Sequence, residues 1–270
     1  MIKSLLAAAL ALLLVLPAAA RAETESVTSG NTTATLTWTP GQFGVTGAAL
    51  TIMRDGVTAF NQPIPDVVCD ECSLPGNGAD DVKVVNLDGL DDLEVLVTSY
   101  TGGQHCCTLS GIYDFNAAKG TYDQIVEGFA SAGYNLDDLD RDGRPEFVTQ
   151  DVRFEDLFTS HVYSFPPPQV FDFVRQDDVP FLADVTTKYT KLIRSNAAEA
   201  KRSFAKAGKN DRSSRGVIAA YVADQYLLGH GSAGLKELDR QIKRGVLGSR
   251  ASAKAYRSKL LRLLHDFGYR

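Results

Sequence analysis

Four carboxylates and a glycine are packed into nine residues, Asp138-Leu139-Asp140-Arg141-Asp142-Gly143-Arg144-Pro145-Glu146. Asp138, Asp140, Asp142 and Glu146 stand at loop positions 1, 3, 5 and 9, with Gly143 at position 6. Calcium takes roughly six to eight oxygen ligands and accepts mixed carboxylate and carbonyl donors. Alternating aspartates let a tight loop converge on one point, and Gly143 permits the sharp turn. The backbone carbonyl of Arg144 can contribute and Glu146 closes the set. Without an ion these carboxylates repel one another; the alternative is an aspartate-rich turn that binds nothing. An EF-hand would place a glutamate at position 12 between helical flanks. Thr149 stands there, and Gly133-Tyr134-Asn135 before and Phe147-Val148 after read as β. The chemistry predicted is a calcium loop in a β context.

A fainter copy lies about fifty residues upstream, Asn86-Leu87-Asp88-Gly89-Leu90-Asp91-Asp92-Leu93-Glu94-Val95. Asn86, Asp88 and Glu94 match the first, third and ninth positions. Leu90 replaces the central carboxylate, and Asp91 stands where glycine is expected. The repetition predicts blade-like units, each a loop feeding a strand. On DLDRDGRPEF at 138–147, and on VTSYTGGQHCC at 97–107, the chain resembles the secreted bacterial FG-GAP or VCBS-type repeat proteins, related to integrin-α propeller blades. That resemblance covers roughly 82–149. It implies that the loops bind calcium structurally while partners bind elsewhere. A closed seven-bladed ring needs more chain than is present, which leaves a partial or atypical propeller-like sheet assembly.

The elements around these loops change character along the chain. Alternation over 33–38 (TATLTW) and 47–53, the turn Arg54-Asp55-Gly56 and the return over 57–60 follow hairpin grammar. Further strands are predicted at 82–85, 94–99, 111–115, 122–126, 146–149 and 160–165, before the prolines Pro166 to Pro168 interrupt the pattern. From Val185 the period turns helical: Val185, Tyr189, Leu192, Ile193, Ala197, Ala200 and Phe204 form one stripe. The stretch 217–228 is apolar on most faces and predicts a central helix. Leu235, Leu238 and Ile242 mark a third, and Ala253, Tyr256, Leu260, Leu264 and Phe267 a fourth. The fold class predicted is α+β, a β-rich domain at 23–182 followed by a helical domain at 183–270.

Charge divides at the same place. Residues 23–182 hold 7 basic and 26 acidic residues, whereas 183–270 hold 19 basic and 7 acidic. Such a split predicts either two units that attract each other or a basic unit that faces a polyanion. At the N-terminus, Lys3, the apolar run over 5–16 and the small-x-small site Ala20-Arg21-Ala22 read as a secretory signal peptide, 1–22. The run is too short to span a bilayer and ends at Pro17, and no later segment is apolar enough to do so. Secretion or delivery to a periplasm follows.

In that oxidising setting Cys69, Cys72, Cys106 and Cys107 point first to disulfides, with three connectivities open. A zinc or copper site with His105 has suitable ligand types, but adjacent cysteines suit a tetrahedron poorly. Enzyme signatures are thin. There is no GxSxG, HExxH or phosphate-cradling glycine loop, and His230-Gly231-Ser232 has no visible third partner. The function predicted is a non-catalytic binding or scaffold protein, stabilised by calcium and disulfides, with a protein or glycan ligand. The alternatives are a carboxylate-dependent hydrolase of a polymer or glycan, and a polyanion binder acting through the basic helices.

Overall fold

The computed structural model describes residues 21–41, 45–64, 81–100 and 108–270. Residues 1–20 of the leader expected at 1–22 and residues Cys69, Cys72, His105, Cys106 and Cys107 lie outside the described residues, and so do the predictions that rest on them.

Among the described residues, twelve strands form three antiparallel sheets of four, each a meander in chain order. The first holds β1 (Glu23–Ser29), β2 (Thr32–Pro40), β3 (Val45–Arg54) and β4 (Val57–Pro63). The second holds β5 (Val82–Val85), β6 (Glu94–Tyr100), β7 (Thr108–Asn116) and β8 (Thr121–Ala130). The third holds β9 (Asn135–Asp137), β10 (Glu146–Gln150), β11 (Pro168–Gln176) and β12 (Val179–Asp184). Four helices follow: α1 (Thr190–Ala205), α2 (Ser214–Leu227), α3 (Gly231–Arg244) and α4 (Arg250–Asp266). The layout is α+β, with a β-rich N-terminal part and a helical C-terminal part.

The sheets stack in layers, and side-chain periodicity shows why. In β2 every second residue is buried, Thr32, Ala34, Leu36 and Trp38, while Thr33, Thr35, Thr37 and Thr39 between them are half-buried. Ala34, Leu36 and Trp38, with Leu50 and Ile52 of β3, pack on Val82, Val95, Val97 and Tyr113 of the second sheet. The opposite face of that sheet, Leu96, Ile112 and Phe129, packs on Phe147 and Phe173 of the third. The middle sheet is therefore covered on both faces. That is why β6 reads as the unbroken buried run Val95-Leu96-Val97 instead of an alternating one. Phe147 lies parallel to Phe129 at 5.6 Å and against Tyr134 at 5.0 Å, locking the second and third sheets together.

Most expected strands form, but two differences stand out. The strand predicted at 160–165 is absent: His161–Tyr163 is a turn of 3-10 helix, with Val162 84% and Tyr163 58% exposed. Its alternation of apolar and polar residues satisfies no sheet partner. Strands β11 and β12, hidden behind the proline run, do form: β11 pairs with β10 from Pro168↔Gln150 onward and with β12 from Phe171↔Asp184 to Gln176↔Val179. Pro168 sits at the first position of its strand, where a missing N–H is tolerated.

The helices follow the predicted stripes. Ile193, Ala197, Ala200 and Phe204 are the buried residues of α1, and α2 is buried from Gly216 to Asp224, the central helix of the group. This core also takes Phe154, Leu157, Phe158 and Phe165 from the segment between β10 and β11. The C-terminus is tied back by Asp151, which accepts from both Arg153 and the Tyr269 hydroxyl.

Asp224 is fully buried in α2. One carboxylate oxygen accepts from the Asn196 amide at 2.9 Å and the other has no hydrogen-bond partner. Burial pushes its pKa up to about 8, with the Asn196 bond opposing. Between its ordinary 3.8 and about 8 the folded chain therefore holds a proton that the unfolded chain releases. Stability contributed by this group falls as pH rises through that window. Asp224→Asn is expected to gain on the parent in melting temperature from pH 5 to pH 8 and to hold a constant lead above; a difference independent of pH would refute the assignment. Phe147→Ala is expected to cost about 3–5 kcal/mol in denaturant unfolding, as a large aromatic deleted from a filled core.

Candidate metal centre

The meander topology puts the β5–β6 and β9–β10 connections at the same end of adjacent sheets. The two connections share one construction. Glu94 pairs with Val85 across the second sheet, and Glu146 pairs with Asp137 across the third. In each, this first strand residue turns its carboxylate back into the loop. The Leu87 N–H donates to Glu94 at 2.6 Å, and the Leu139 N–H donates to Glu146 at 2.8 Å. A left-handed residue falls at the fourth position of both, Gly89 at φ +81° and Arg141 at φ +65°, and the downstream loop has a second at Gly143, φ +92°. Gly89 has a second reason to lack a side chain: a Cβ there would lie 3.0 Å from Cδ of Arg144, where the downstream loop leans on the upstream one. The fifty-residue echo in the sequence is a structural repeat.

In the downstream loop, Asp138, Asp140 and Asp142 each bring one carboxylate oxygen within 4.8 Å of the others, and all three residues are exposed. Backbone donors from the loop itself hold them there. Asp142 N–H donates to Asp138 (3.0 Å) and Asp140 (3.2 Å), Gly143 N–H to Asp138 (3.0 Å), and Arg144 N–H to Asp142 (2.9 Å). The Arg144 side chain folds onto Asp142 at 2.5 Å and holds its carboxyl below the usual range. Glu146 is buried beneath, shared between Leu139 N–H and the Tyr189 hydroxyl, whose own ionisation burial and Glu146 suppress. Glu146 thus braces the floor of the loop from the start of β10.

The upstream loop gathers a different set. Asn86 is spent on the loop, accepting from Gly89 N–H at 2.6 Å and donating to the Leu90 carbonyl at 2.7 Å. Asp88 and Glu94 are joined instead by Asp114 of β7, their oxygens again within 4.8 Å. Sequence reading missed Asp114 because it lies on another strand; the lone carboxylate in the apolar run Gly111-Ile112-Tyr113-Asp114-Phe115 was the available signal. A cation is already there. Arg175 of β11 crosses from the third sheet to pair in bidentate fashion with Asp114, and reaches Asp88 at 3.2 Å. Glu94 is fully buried with one oxygen unpartnered. Burial, reinforced by Asp88 and Asp114 and opposed by the Leu87 bond, raises its pKa to about 8. Burial also holds Asp114 above its ordinary value even against Arg175.

The remaining candidates fall elsewhere. His230 is an exposed residue at the start of α3, its carbonyl accepting from Ala233 and Gly234. A cleft of about 350 Å³ lies between the third sheet and α1, lined by Asn135, Gln150, Ser195, Asn196 and Glu199 among others. Removing Arg175 leaves Asp88 and Asp114 facing each other under cover. Because the guanidinium keeps some solvent contact, Arg175→Met is expected to cost about 2 kcal/mol in calcium-free denaturant unfolding, short of a fully buried pair. Arg144→Met, which breaks a surface pair, is expected to leave stability nearly unchanged.

Comparison with known proteins adds a relationship. Residues 193–261 match the family described as the sll0997 C-terminal domain. The chain is 30% identical over 157 residues to the probable thylakoid lumen protein sll0997 of Synechocystis sp. (strain ATCC 27184 / PCC 6803 / Kazusa), covering 56% of this chain and 46% of that protein. It is 31% identical over 107 residues to the uncharacterized protein y4bJ of Sinorhizobium fredii (strain NBRC 101917 / NGR234), covering 38% and 16%. The chain thus spans less than half the length of each of these relatives. No solved structure matches it. Among the described residues, no helix is long and apolar enough to cross a membrane.

Proposed function

We propose that this chain is an exported, non-catalytic binding or scaffold protein whose β-rich part is pinned by a calcium ion at the 138–146 loop. The observation that carries the reading is the contrast between the two repeated loops. The upstream cluster contains its own cation, Arg175, whereas the exposed downstream trio of Asp138, Asp140 and Asp142 is met, among the described residues, by the side chain of Arg144 at its edge and by Lys188 acting on Asp142 from further off. An ion there displaces Arg144 from Asp142, takes the three aspartates and the Arg144 carbonyl, and stands over the brace formed by Glu146. The upstream set of Asn86, Asp88 and Glu94 accepts an ion only where Arg175 gives way. Calcium suits such an open, all-oxygen, partly solvated loop, and millimolar extracellular calcium fills even weak ones.

Three stacked four-stranded meanders, two of them carrying the repeated loop, support a blade-type relative of the FG-GAP or VCBS proteins. The thylakoid-lumen name of one relative, together with the leader read at 1–22, supports a place outside the cytoplasm, secreted or periplasmic. Disulfides from Cys69, Cys72, Cys106 and Cys107 fit that setting. Domain limits of 23–182 and 183–270 describe the two parts, with the 151–167 segment lent to the helical core. A protein or glycan ligand is the partner of such a scaffold.

Thermal melting in 2 mM calcium against chelator tests the ion. The midpoint is expected to rise by about 3–7 °C in calcium, from mass action on a site of sub-millimolar affinity. Asp140→Ala is expected to abolish that rise while melting like the parent in chelator. An equal midpoint with and without calcium would remove the ion from the account.

A further inference from the structure

The basic half of the chain concentrates its charge at one place. The α1–α2 connection and the first turn of α2 meet the α3–α4 connection and the first turn of α4, joined by Asn210 N–H to the Gly245 carbonyl at 2.8 Å. Between them opens a cleft of about 780 Å³ whose lining includes Lys209, Arg212, Arg215, Lys243 and Arg244, and no carboxylate.

The five cations divide by their bonds. Arg244 is structural, donating to the carbonyls of Ala205 and Ala207 and to Gln241. Arg215 braces the far wall through the Leu247 carbonyl and the Ser252 hydroxyl, yet its Nε is buried without a hydrogen-bond partner. Lys209, Arg212 and Lys243 are exposed, and their side chains have no hydrogen-bond or ion-pair partner among the described residues. Asp211, next to Arg212 in the chain, does not line the cleft and is taken by Ser213 and Ser214 at the start of α2. Glu237 of α3 is likewise taken by Arg240 and Gln241.

Backbone electrostatics add to the side chains. Ser249 caps α4 and, with Ser252, lines the cleft, and the first turn of this 17-residue helix carries no acidic residue. Its positive end therefore faces the same space as the cations. Helix C-termini favour nearby cations, which accounts for Lys243 and Arg244 on α3. It does not account for Lys209 and Arg212, which close the cleft from the other side.

We propose that this cleft binds a compact ligand carrying two or more clustered phosphate groups, held by Lys209, Arg212 and Lys243 above the N-terminus of α4. The size is that of a small-ligand site, and cations supplied by both connections onto one space favour a compact polyanion over an extended one laid across a surface. The proposal goes beyond the scaffold reading and does not depend on the calcium loop.

The test is isothermal titration of the full chain with sodium tripolyphosphate, at constant ionic strength and in chelator, so that calcium capture by the probe cannot mimic binding. Saturable one-to-one binding is expected. The triple variant Lys209→Gln/Arg212→Gln/Lys243→Gln, which spares the structural Arg215 and Arg244, is expected to weaken it at least about tenfold while melting like the parent. The control Lys191→Gln/Lys236→Gln/Lys254→Gln, equal in charge but on exposed faces of α1, α3 and α4, is expected to bind like the parent. Absence of saturable binding would overturn the proposal, as would equal losses in both triple variants. Retention of duplex DNA without tripolyphosphate binding would overturn it too, in favour of an extended polyanion surface.

Discussion

Everything in the β-rich part depends on a middle sheet that has no free face. Because Val95 and Val97 bury against the first sheet and Leu96 against the third, β6 cannot slip by one residue without driving both sets into the wrong layer. That register fixes Glu94 at the buried start of β6. A carboxylate in such a place needs a donor, and it finds one in the Leu87 N–H, which closes the loop above it. The third sheet repeats the arrangement with Glu146 and Leu139. The two loops are thus positioned by the cores beneath them, and they meet where the Arg144 side chain lies over Gly89.

This construction explains how the same loop can be built in two electrostatic forms. Where Leu90 replaces the central carboxylate, the cluster draws its third acid from β7 and its cation from β11, so charge compensation runs between sheets. Where all three aspartates are present, the loop gathers them by its own backbone donors and faces solvent. The first form carries its own cation but leaves one Glu94 oxygen without a partner; the second, on the reading proposed above, takes its cation from outside. Arg175 therefore joins two sheets as well as balancing charge, and its partial cover makes it more than a surface pair.

The fold class, the strand-to-helix change near 185 and the helix stripes were legible because each rests on local periodicity. Ile193, Ala197, Ala200 and Phe204 announce one buried face without reference to any partner. The 160–165 segment misled because its alternation has no sheet to serve, while β11 was masked by the proline run that begins it. The downstream aspartates could be read because they are contiguous. Asp114 and Arg175 could not, since strand pairing and sheet stacking bring them to Asp88. The charge split predicts two units of opposite sign that attract each other, or a basic unit that faces a polyanion. Their junction includes an ion pair, Lys188 with Asp172 at 3.7 Å, but its substance is apolar, through Phe154, Leu157, Phe158 and Phe165. That leaves the cations around the α3–α4 joint uncommitted to the β-rich part.

The most direct measurement of the account is the number of calcium ions held per chain, by equilibrium dialysis at millimolar free calcium. The account predicts one ion in the parent, none in Asp140→Ala, and a second gained when Arg175 is replaced by methionine. A parent chain that holds none, or an ion that survives Asp140→Ala, would contradict it.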